Sequence, residues 1–355
     1  MGNYHDQLVK HINDNPEFIQ PASHRNAILA RLNGDRLRDL SISRTTFDWG
    51  IPVPDGFEKN HVMYVWFDAL SNYLTGVNAL GVNNGEDGAK DEDLAKFWPA
   101  NVHIIGKDIL WFHTVIWPCI LFSAKIPLPK TVFAHGFVND KDGKKMSKSM
   151  GNVVDPHDML DLYSVDTFRW YLCKEAPYGG ELSFSEDSLR DMHNADLADT
   201  LGNLVHRATN LCGKYCGGAV PDVSPESAVK SFDSYREEYI AKVKGFELEG
   251  GAALAMKAFR EVNGFLTDKA PWHIKGKDDE SVKARQIVVR SVLEAVYALT
   301  HLLLPFVPNG AKAIFKKLNT FPKNTLKDIN GNLENLVVGT KIDVGDILYS
   351  KVGYS

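Results

Sequence analysis

The pattern of hydrophobic and polar positions between residues 61 and 138 alternates between short apolar runs and stretches with helical spacing. The apolar runs are VMYVWF, VHIIG and TVFAHGFV, and the first two lead into DALSNYLTG and KDILWFHTVIWPCILFSA. Strands that alternate with helices along a chain predict a parallel sheet covered by helices. Residues 61–140 are therefore predicted to belong to an α/β domain. The segment Asn83–Asp93, rich in Gly, Asn and Asp, is predicted to be a surface excursion.

The first sixty residues carry a different pattern. Two helical stretches are separated at NDNPEF, and they lead into the extended run DLSISRTTFDWGIPVP. Pro52 and Pro54 exclude a helix at the end of this run. We interpret residues 1–60 as a connecting element that leads into the α/β domain.

Helical patterns dominate the second half of the chain. Residues 141–187 contain VVDPHDMLDLYSVDTFRWYL, in which Asp155 and Asp166 are predicted N-caps and Pro156 a first helical residue. Long amphipathic patterns then predict a helical bundle over residues 188–320. Its most apolar run, Val288–Val307, contains Arg290, Glu294 and His301, which favours an amphipathic bundle helix over a membrane span. The tail, residues 321–355, returns to β-like pieces whose placement the pattern does not predict.

Composition narrows the class of protein. The 355 residues are 44% hydrophobic, enough for two or three domains with cores. A net charge of −5 means that any contact with nucleic acid needs a local basic patch. The four cysteines, Cys119, Cys173, Cys212 and Cys216, are unevenly spaced, and we expect thiols in a reducing compartment. The N-terminus shows no apolar signal segment, so a cytoplasmic protein without a membrane partner is predicted.

Candidate ligand-binding residues follow the predicted strands, because ligands bind at the carboxyl ends of parallel strands. Trp66 ends the first run, Gly106 and Asp108 follow the second, and the third passes His135 toward Val138. Gly106 permits close approach of another group, and Asp108 could accept hydrogen bonds from a ribose diol. Asp108 could instead be an ordinary N-cap.

A second group of residues could line an apolar cavity. Trp66, Tyr73, Ile109 and His113 have the spacing to do so, with His113 as a polar tip. The alternative is that the aromatic residues are ordinary core residues and His113 is a satisfied interior histidine.

The segment GKKMSKSMGN concentrates lysines between a predicted strand and a predicted helix. DKDGKK before it is typical of a turn, and Gly151-Asn152 after it of a flexible joint. Lysines on a mobile loop can stabilise a polyphosphate as charge develops on its leaving oxygens. A charged run can also be a plain solvated surface.

The pentapeptide KMSKS, Lys145–Ser149, resembles the signature loop of class I aminoacyl-tRNA synthetases. The resemblance implies that the loop closes over ATP and that Lys145 and Lys148 are catalytic, acting on the departing pyrophosphate. The run SISRTTFDWGIPVP also resembles this class. Similar runs occur in its leucyl, isoleucyl and valyl members, so this run does not identify the amino acid.

YVWFDALSNYLTG and IIGKDILWFH resemble the methionine pocket of methionyl-tRNA synthetases. The implied methionine-binding residues are Trp66, Ala69, Tyr73, Ile109 and His113. The implied ATP-binding residues are Gly106, Asp108, His135, Val138 and Lys148. GNLVHRATN and KAPWHIK resemble the segments that read the CAU anticodon, which implies that Asn203, Arg207 and Trp272 bind it.

The resemblance implies a fold and a reaction. The fold is α/β, the second half of a Rossmann-type parallel-sheet catalytic domain followed by an α-helical bundle that binds the anticodon. The reaction is ATP-dependent activation of L-methionine and its transfer to tRNA(Met), with Mg²⁺ accompanying ATP and no structural metal in the chain. A non-catalytic tRNA-binding module and a sister class I synthetase remain alternatives.

One departure from the family is serious. The H-x-G-H pattern, which opens the nucleotide fold in the family, does not occur in this sequence. We therefore expect a C-terminal part that lacks the N-terminal half of the catalytic domain. Alone it would be inactive, and an N-terminal fragment of the same enzyme would be its partner.

Overall fold

The computed structural model describes residues 1–77, 96–229 and 231–353. The chain divides into two compact units, Met1–Phe137 and Val138–Ser355. The predicted excursion Asn83–Asp93 lies outside the described residues.

The first unit is built on a parallel sheet with the strand order β1-β5-β4. Its strands are β1 (Ile19–Gln20), β4 (His103–Gly106) and β5 (Val132–His135). The helices of this unit are α1 (His5–Asp14), α2 (Ala22–Gly34), α3 (Val65–Gly76) and α4 (Trp117–Ala124), and the wide π-type turn Phe112–Ile116 leads into α4. The predicted parallel sheet is confirmed for the second and third apolar runs.

The first apolar run, VMYVWF, is not a strand of this sheet, and that prediction is wrong. Only β3 (Val62–Met63) is extended, and it pairs antiparallel with β2 (Ser43–Arg44). From Val65 onward the chain is helical. Although Val, Trp and Phe favour strands, Trp66, Leu70, Tyr73 and Leu74 recur at helical spacing, and Leu70 and Leu74 are buried. Burial of this face outweighs the local strand preference.

The two helices predicted in the first sixty residues are confirmed as α1 and α2. Between them lies β1, which the sequence analysis missed because it is only two residues long. Leu8 and Leu32 on these helices share one hydrophobic cluster with Ile105 and Val132 of the sheet strands. The predicted boundary at residue 60 therefore does not coincide with a boundary between compact units.

The second unit begins with β6 (Val138–Asn139), which pairs parallel with β7 (Leu182–Ser183). Two helices, α5 (Pro156–Leu162) and α6 (Val165–Glu175), lie between these strands in sequence. Asp155 caps α5 by accepting from the backbone N–H of His157 at 2.8 Å, and Pro156 is the first helical residue. Both predictions are confirmed.

Asp166 is not an N-cap of its own helix, contrary to prediction. Ser164 caps α6, and Asp166 lies in the first turn. The carboxylate of Asp166 instead accepts from the backbone N–H of Gly310 at 2.6 Å, at the start of another helix, and from the hydroxyl of Tyr349 at 2.9 Å. A distant helix start competes successfully for this carboxylate because it offers unpaired N–H groups.

The rest of this unit is a helical bundle, as predicted. Its elements are α7 (Glu186–Met192), the wide π-type segment His193–Gly202, α8 (Asn203–Cys216), α9 (Phe232–Lys244), α10 (Leu248–Lys269), α11 (Asp279–Leu303) and α12 (Pro308–Lys317). By length and composition α11 could cross a membrane, yet 89% of its most apolar window is buried inside the protein. It is therefore a core helix.

The predicted amphipathic character of this helix is wrong over the stretch from Val288 to Leu303, where every residue is buried. Its charges are paired internally instead. Arg290 and Glu294 form an ion pair at 2.8 Å, and Glu294 also accepts the backbone N–H of Leu336 at 2.9 Å. Burial raises the pKa of Glu294. Such pairing allows charged residues to lie inside a core helix.

The C-terminal tail, which the sequence pattern could not place, packs along the bundle. The backbone N–H of Val220 donates to Thr340, and that of Ile342 donates to Gly218. Further along, the carbonyl of Ser350 accepts from Nε2 of His193 at 2.8 Å.

Candidate functional sites

An aromatic cluster in the first unit contains Trp66, Tyr73 and His113, three of the residues predicted to bind an apolar ligand. Trp66, Ala69 and Tyr73 lie on one face of α3 because their spacing is three and four residues. Trp66 and Tyr73 are half-buried, and Ala69 is exposed. The indole of Trp66 stacks on Phe112 with ring centroids 4.0 Å apart and an interplanar angle of 16°. Phe112 was missed, although it immediately precedes His113.

Hydrogen bonds fix the ring of His113 in one orientation. Its Nδ1–H donates to the carbonyl of Ile109 at 3.0 Å, and its Nε2 lies 2.8 Å from the hydroxyl of Tyr73. Because a carbonyl can only accept, the proton is on Nδ1, and Nε2 accepts from Tyr73. The side chain of His113 is only 2% exposed, and burial lowers its pKa. The cluster therefore presents a neutral imidazole.

The carbonyl and the side chain of Ile109 have different neighbours. Its carbonyl orients His113, but its side chain packs against the hydrophobic cluster of α1, α2 and the sheet. Trp66 and Tyr73 pack instead against the cluster that contains Trp98 and Trp117. The structure thus brings together Trp66, Tyr73 and His113 and places the side chain of Ile109 in a separate cluster.

His103 of β4 is a second histidine in this region, and the sequence analysis gave it no role. Its ring lies 4.3 Å from that of Tyr73 and 6.0 Å from that of His113, centroid to centroid. Burial, followed by the proximity of His113, lowers the pKa of His103 to about 4. Its Nε2 has no hydrogen-bond partner among the described residues. Two neutral imidazoles therefore flank Tyr73.

A separate cavity of about 410 Å³ lies elsewhere in the first unit. It is lined mainly by apolar side chains, including Tyr4, Leu40, Phe67 and Ile120, and none of the predicted site residues lines it. The volume of a cavity therefore does not single out the aromatic cluster, which is a candidate site because of its hydrogen-bond geometry.

The carboxyl ends of β4 and β5 lie side by side, as the predicted parallel sheet requires. Gly106 and His135 are direct partners in the register. A Cβ atom on Gly106 would lie 2.6 Å from Oδ1 of Asp108, so a larger residue at position 106 would displace this carboxylate from its present position at the strand end. Asp108 is exposed and is the second residue of the 3₁₀ turn Lys107–Ile109. Its alternative role as an N-cap is therefore wrong.

The exposed His135 ring is oriented by its own loop. Its Nδ1–H donates to the carbonyl of Gly136 at 2.8 Å, which leaves Nε2 directed away from this bond. Asp108 and His135 thus stand at adjacent strand ends. Val138, the remaining residue predicted to contact the nucleotide, belongs to β6 of the second unit and is also exposed.

The lysine-rich segment of the second unit forms a hairpin turn followed by a short helical turn. The backbone N–H of Gly143 donates to Asp140, and Gly143 has a φ of 74°, which confirms the predicted turn. The backbone of Lys145 forms an isolated antiparallel β-bridge with that of Asn139. The 3₁₀ turn Lys148–Met150 follows. Lys145 and Lys148 are both exposed. This segment therefore presents its cations to solvent.

A third group of predicted residues meets on the helical bundle. Asn203 and Arg207 lie one turn apart on α8, and the Cζ of Arg207 lies 5.4 Å from the ring centroid of Trp272. The side chain of Trp272 is 39% exposed, and Asn203 is exposed. Arg285, which the sequence analysis missed, holds the loop after Trp272 by donating to the carbonyls of Ile274 at 2.8 Å and Gly276 at 3.0 Å.

Over residues 1–77, 96–229 and 231–353, no group of three or more His, Cys, Asp or Glu side chains is arranged to hold a metal ion.

Comparison with known families matches both halves of the chain. Residues 1–209 match the family described as tRNA synthetases class I (M). Residues 222–354 match the anticodon binding domain of methionyl tRNA ligase. This chain belongs to the methionyl-tRNA synthetase family.

Individual members of that family are similar over nearly the whole chain. The methionine–tRNA ligase of Caldanaerobacter subterraneus subsp. tengcongensis is 37% identical, over 98% of this chain and 53% of the relative. The methionine–tRNA ligase of Brucella suis is 42% identical, over 88% of this chain and 58% of the relative. The chain thus spans a little over half the length of these curated relatives.

A solved structure agrees in fold. The crystal structure of Mycobacterium tuberculosis methionyl-tRNA synthetase bound by methionyl-adenylate aligns with a TM-score of 0.85 at 33% identity. The alignment covers 98% of this chain and 67% of the other. The predicted fold class, a Rossmann-like parallel-sheet part followed by a helical anticodon-binding part, is confirmed.

Proposed function

We propose that this chain supplies the methionine pocket, the KMSKS loop and the anticodon-binding bundle of a methionine–tRNA ligase. The observation that carries the proposal is the neutral His113, held between Tyr73 and the Ile109 carbonyl beside the stacked pair Trp66 and Phe112. Family membership favours methionine over the amino acids of sister class I enzymes.

The aromatic cluster suits the side chain of methionine. A thioether beside aromatic edges gains about 0.3–1.5 kcal/mol, and an unbranched chain fits a narrow slot between rings. Because both nearby histidines are neutral, the cluster offers no charge that would favour an ionic side chain. Trp66, Ala69 and Tyr73 would form one wall and His113 the other, while Ile109 would contribute through the carbonyl that orients His113.

Activation begins when the methionine carboxylate attacks the α-phosphate of ATP, so that methionyl-adenylate forms and pyrophosphate leaves. We propose that Gly106, Asp108, His135 and Val138 contact the adenosine, with the carboxylate of Asp108 accepting hydrogen bonds from the ribose hydroxyls. Lys145 and Lys148 would stabilise the charge that develops on the leaving pyrophosphate. Mg²⁺ would enter with ATP and neutralise part of its charge.

Transfer follows when a hydroxyl of the terminal tRNA ribose attacks the acyl carbon and AMP leaves. Positioning and charge stabilisation account for such steps without a covalent enzyme intermediate. For tRNA(Met) we propose that a base of the CAU anticodon stacks on Trp272, while Asn203 and Arg207 donate hydrogen bonds to base edges. Stacking of this kind contributes about 1–3 kcal/mol per base.

We further propose that activity requires the length that the curated relatives have and this chain lacks. The sequence contains no H-x-G-H pattern, and within residues 1–77, 96–229 and 231–353 β4 is an edge strand of its sheet, with Ile104 64% exposed. An unpaired edge with apolar residues is suited to pairing with another chain segment. An N-terminal fragment of the same enzyme would be the partner of this surface.

We propose one role for each segment of the chain. Residues 1–60 would be the exit of an inserted domain, residues 61–140 the catalytic part and residues 141–187 the KMSKS loop with a stem-contact region. Residues 188–320 would read the anticodon, and residues 321–355 would be a tail. A cytoplasmic location fits a role in translation.

The deciding experiment is methionine-dependent ATP–pyrophosphate exchange, measured on this chain alone and after addition of a polypeptide that supplies the N-terminal part of a relative. We expect no exchange for the chain alone and exchange for the mixture. Leucine, isoleucine, valine and cysteine serve as comparison substrates. Faster exchange with any of them than with methionine would contradict the proposal.

A binding assay separates catalysis from a non-catalytic tRNA-binding role. If methionine does not quench the tryptophan fluorescence of the mixture while a CAU stem-loop still binds, the chain acts as a binding module. Quenching together with exchange supports the ligase.

A further inference from the structure

The KMSKS loop is closed at its base by two polar side chains that flank it in sequence. Asp140 precedes Lys145 by five residues, and Asn152 follows Ser149 by three. Oδ2 of Asp140 accepts from Nδ2 of Asn152 at 2.7 Å. We call this pair, Asp140 and Asn152, the loop clamp.

Asp140 shapes the first half of the loop. Its Oδ1 accepts from the backbone N–H of Asp142 at 3.0 Å and of Lys144 at 2.8 Å, which closes the hairpin turn. The amide of Asn152, followed by the N–H of Lys144, holds the pKa of Asp140 below its usual range. Asp140 therefore acts as an ionised, acceptor-only group.

Asn152 holds the signature itself. Its Oδ1 accepts from the backbone N–H of Ser147 at 2.9 Å, and its Nδ2 also reaches the carbonyl of Lys145 at 3.3 Å. One amide thus spans the peptide groups on both sides of Met146. At the predicted joint Gly151-Asn152, Gly151 adopts a left-handed φ of 67° and the side chain of Asn152 is hydrogen-bonded.

The direction of the lysines follows from this arrangement. Met146, between the two bonded peptide groups, packs against the hydrophobic cluster that includes Met159, Tyr163 and Leu182. With Met146 directed inward and the backbone fixed on each side of it, Lys145 and Lys148 remain exposed. A change at the clamp would alter where both ammonium groups can reach.

We propose that Asp140 and Asn152 are positioning residues that set the loop conformation from which Lys145 and Lys148 engage the pyrophosphate leaving group. This inference rests on the proposed ligase function. Neither residue needs to contact the substrate. The essential requirement is that a hydrogen-bond donor at one of the two positions faces an acceptor at the other.

The test is a swap of the two side chains. Asp140→Asn places an amide donor opposite the donor of Asn152, and Asn152→Asp places two carboxylates opposite each other. In the double variant the amide at position 140 donates to the carboxylate at position 152. The acceptors for the N–H groups of Lys144 and Ser147 are retained, but the bond to the Lys145 carbonyl is replaced by a contact between two acceptors, so the rescue should be partial.

Each single variant should lower kcat of methionine-dependent pyrophosphate exchange by about 10- to 100-fold, in line with the loss of a charge-assisted hydrogen bond. The KM for methionine should stay unchanged, because the aromatic cluster is untouched. The double variant should recover at least about tenfold relative to either single variant. Asp142→Asn removes the same charge from the same turn without touching the clamp, so it is the matched control and should behave as wild type.

A second readout does not depend on activity. Limited trypsin digestion of this chain, followed by mass spectrometry, should show faster cleavage after Lys144, Lys145 and Lys148 in both single variants. The double variant should be cleaved more slowly than either single variant, and Asp142→Asn should match the wild type. If the swap does not slow cleavage relative to the single variants, or if the single variants are cleaved no faster than the wild type, the inference is overturned. If wild type with its N-terminal polypeptide shows no exchange while cleavage follows the swap, the proposed function fails and the clamp stands.

Discussion

The candidate functional groups of the two units differ in burial and in charge. In the first unit His113 is buried and neutral, and its partners Tyr73 and Ile109 are also uncharged. In the second unit the candidate groups are cations, the exposed Lys145 and Lys148 on the loop and the half-buried Arg207 beside Trp272.

The difference indicates what each region can recognise. Burial disfavours the charged form of an imidazole, so the first region favours an uncharged side chain with a polarizable group. Exposed cations on a loop suit phosphates, and a cation beside an aromatic ring suits bases. Salt screens their contribution to the free energy of binding. Substitutions that remove a charge should therefore lower activity most when they lie in the second unit. Acid should lower the stability of the first unit.

The largest effect is expected for the loop cation. Lys148→Ala in the complete enzyme should raise the barrier to adenylation by about 2–4 kcal/mol, because one charge-stabilising donor is lost. Pyrophosphate exchange measures the change. Lys141→Ala, an exposed lysine on the tip of the same hairpin turn, is the control. An unchanged exchange rate in Lys148→Ala would refute a catalytic role for the loop.

Acid should destabilise the first unit through its buried histidines. The pKa of His103 is lowered in the fold from 6.5 to about 4, so the unfolded chain binds more protons between these values. The contribution of His103 to the free energy of unfolding is therefore highest above pH 6.5. It falls by about 2–3 kcal/mol at most as the pH is lowered from 6.5 toward 4.

Urea unfolding monitored by tryptophan fluorescence at several pH values measures this loss. His103→Asn removes the titrating group, so its stability should fall less between pH 6.5 and 4 than that of the wild type. Parallel pH curves for the two proteins would show that His103 is not the cause.

A smaller effect is expected on the bundle. Trp272→Ala should weaken binding of a CAU stem-loop by about 1–3 kcal/mol, because a stacking surface for one base is removed. Fluorescence anisotropy with a labelled stem-loop measures the affinity. Phe321→Ala removes another exposed aromatic side chain, 87% exposed, from the same unit and should have no effect. Equal losses in both variants would mean that Trp272 provides no specific contact.

The smallest effect is expected in the aromatic cluster. Tyr73→Phe removes the donor to Nε2 of His113 and should lower the free energy of unfolding by about 1 kcal/mol, the usual value for one hydrogen bond. Water can partly replace the hydroxyl because Tyr73 is only half-buried. Tyr64→Phe, at the start of the same helix, should change stability less. The reverse order would argue against the hydrogen-bond geometry described for His113.

Much of the architecture could be predicted locally. The strands around Ile105 and Val132, the turn at Gly143 and the cap at Asp155 follow from patterns a few residues long, since burial periodicity and backbone hydrogen bonding act over that range. The pairing of Gly106 with His135 followed from the parallel sheet, because strand ends in such a sheet share one edge.

Other features were decided by the tertiary structure alone. The second half of VMYVWF became the start of a helix because its apolar face could be buried that way, and Asp166 capped a helix far along the chain. Stacking of Phe112 on Trp66, the low pKa of His103 and the bonding of Asn152 across the loop depend on groups brought close only by folding. Sequence determines which side chains are available at each local position. Burial and distant hydrogen-bond partners decide what those side chains do, because both exist only once the chain has packed.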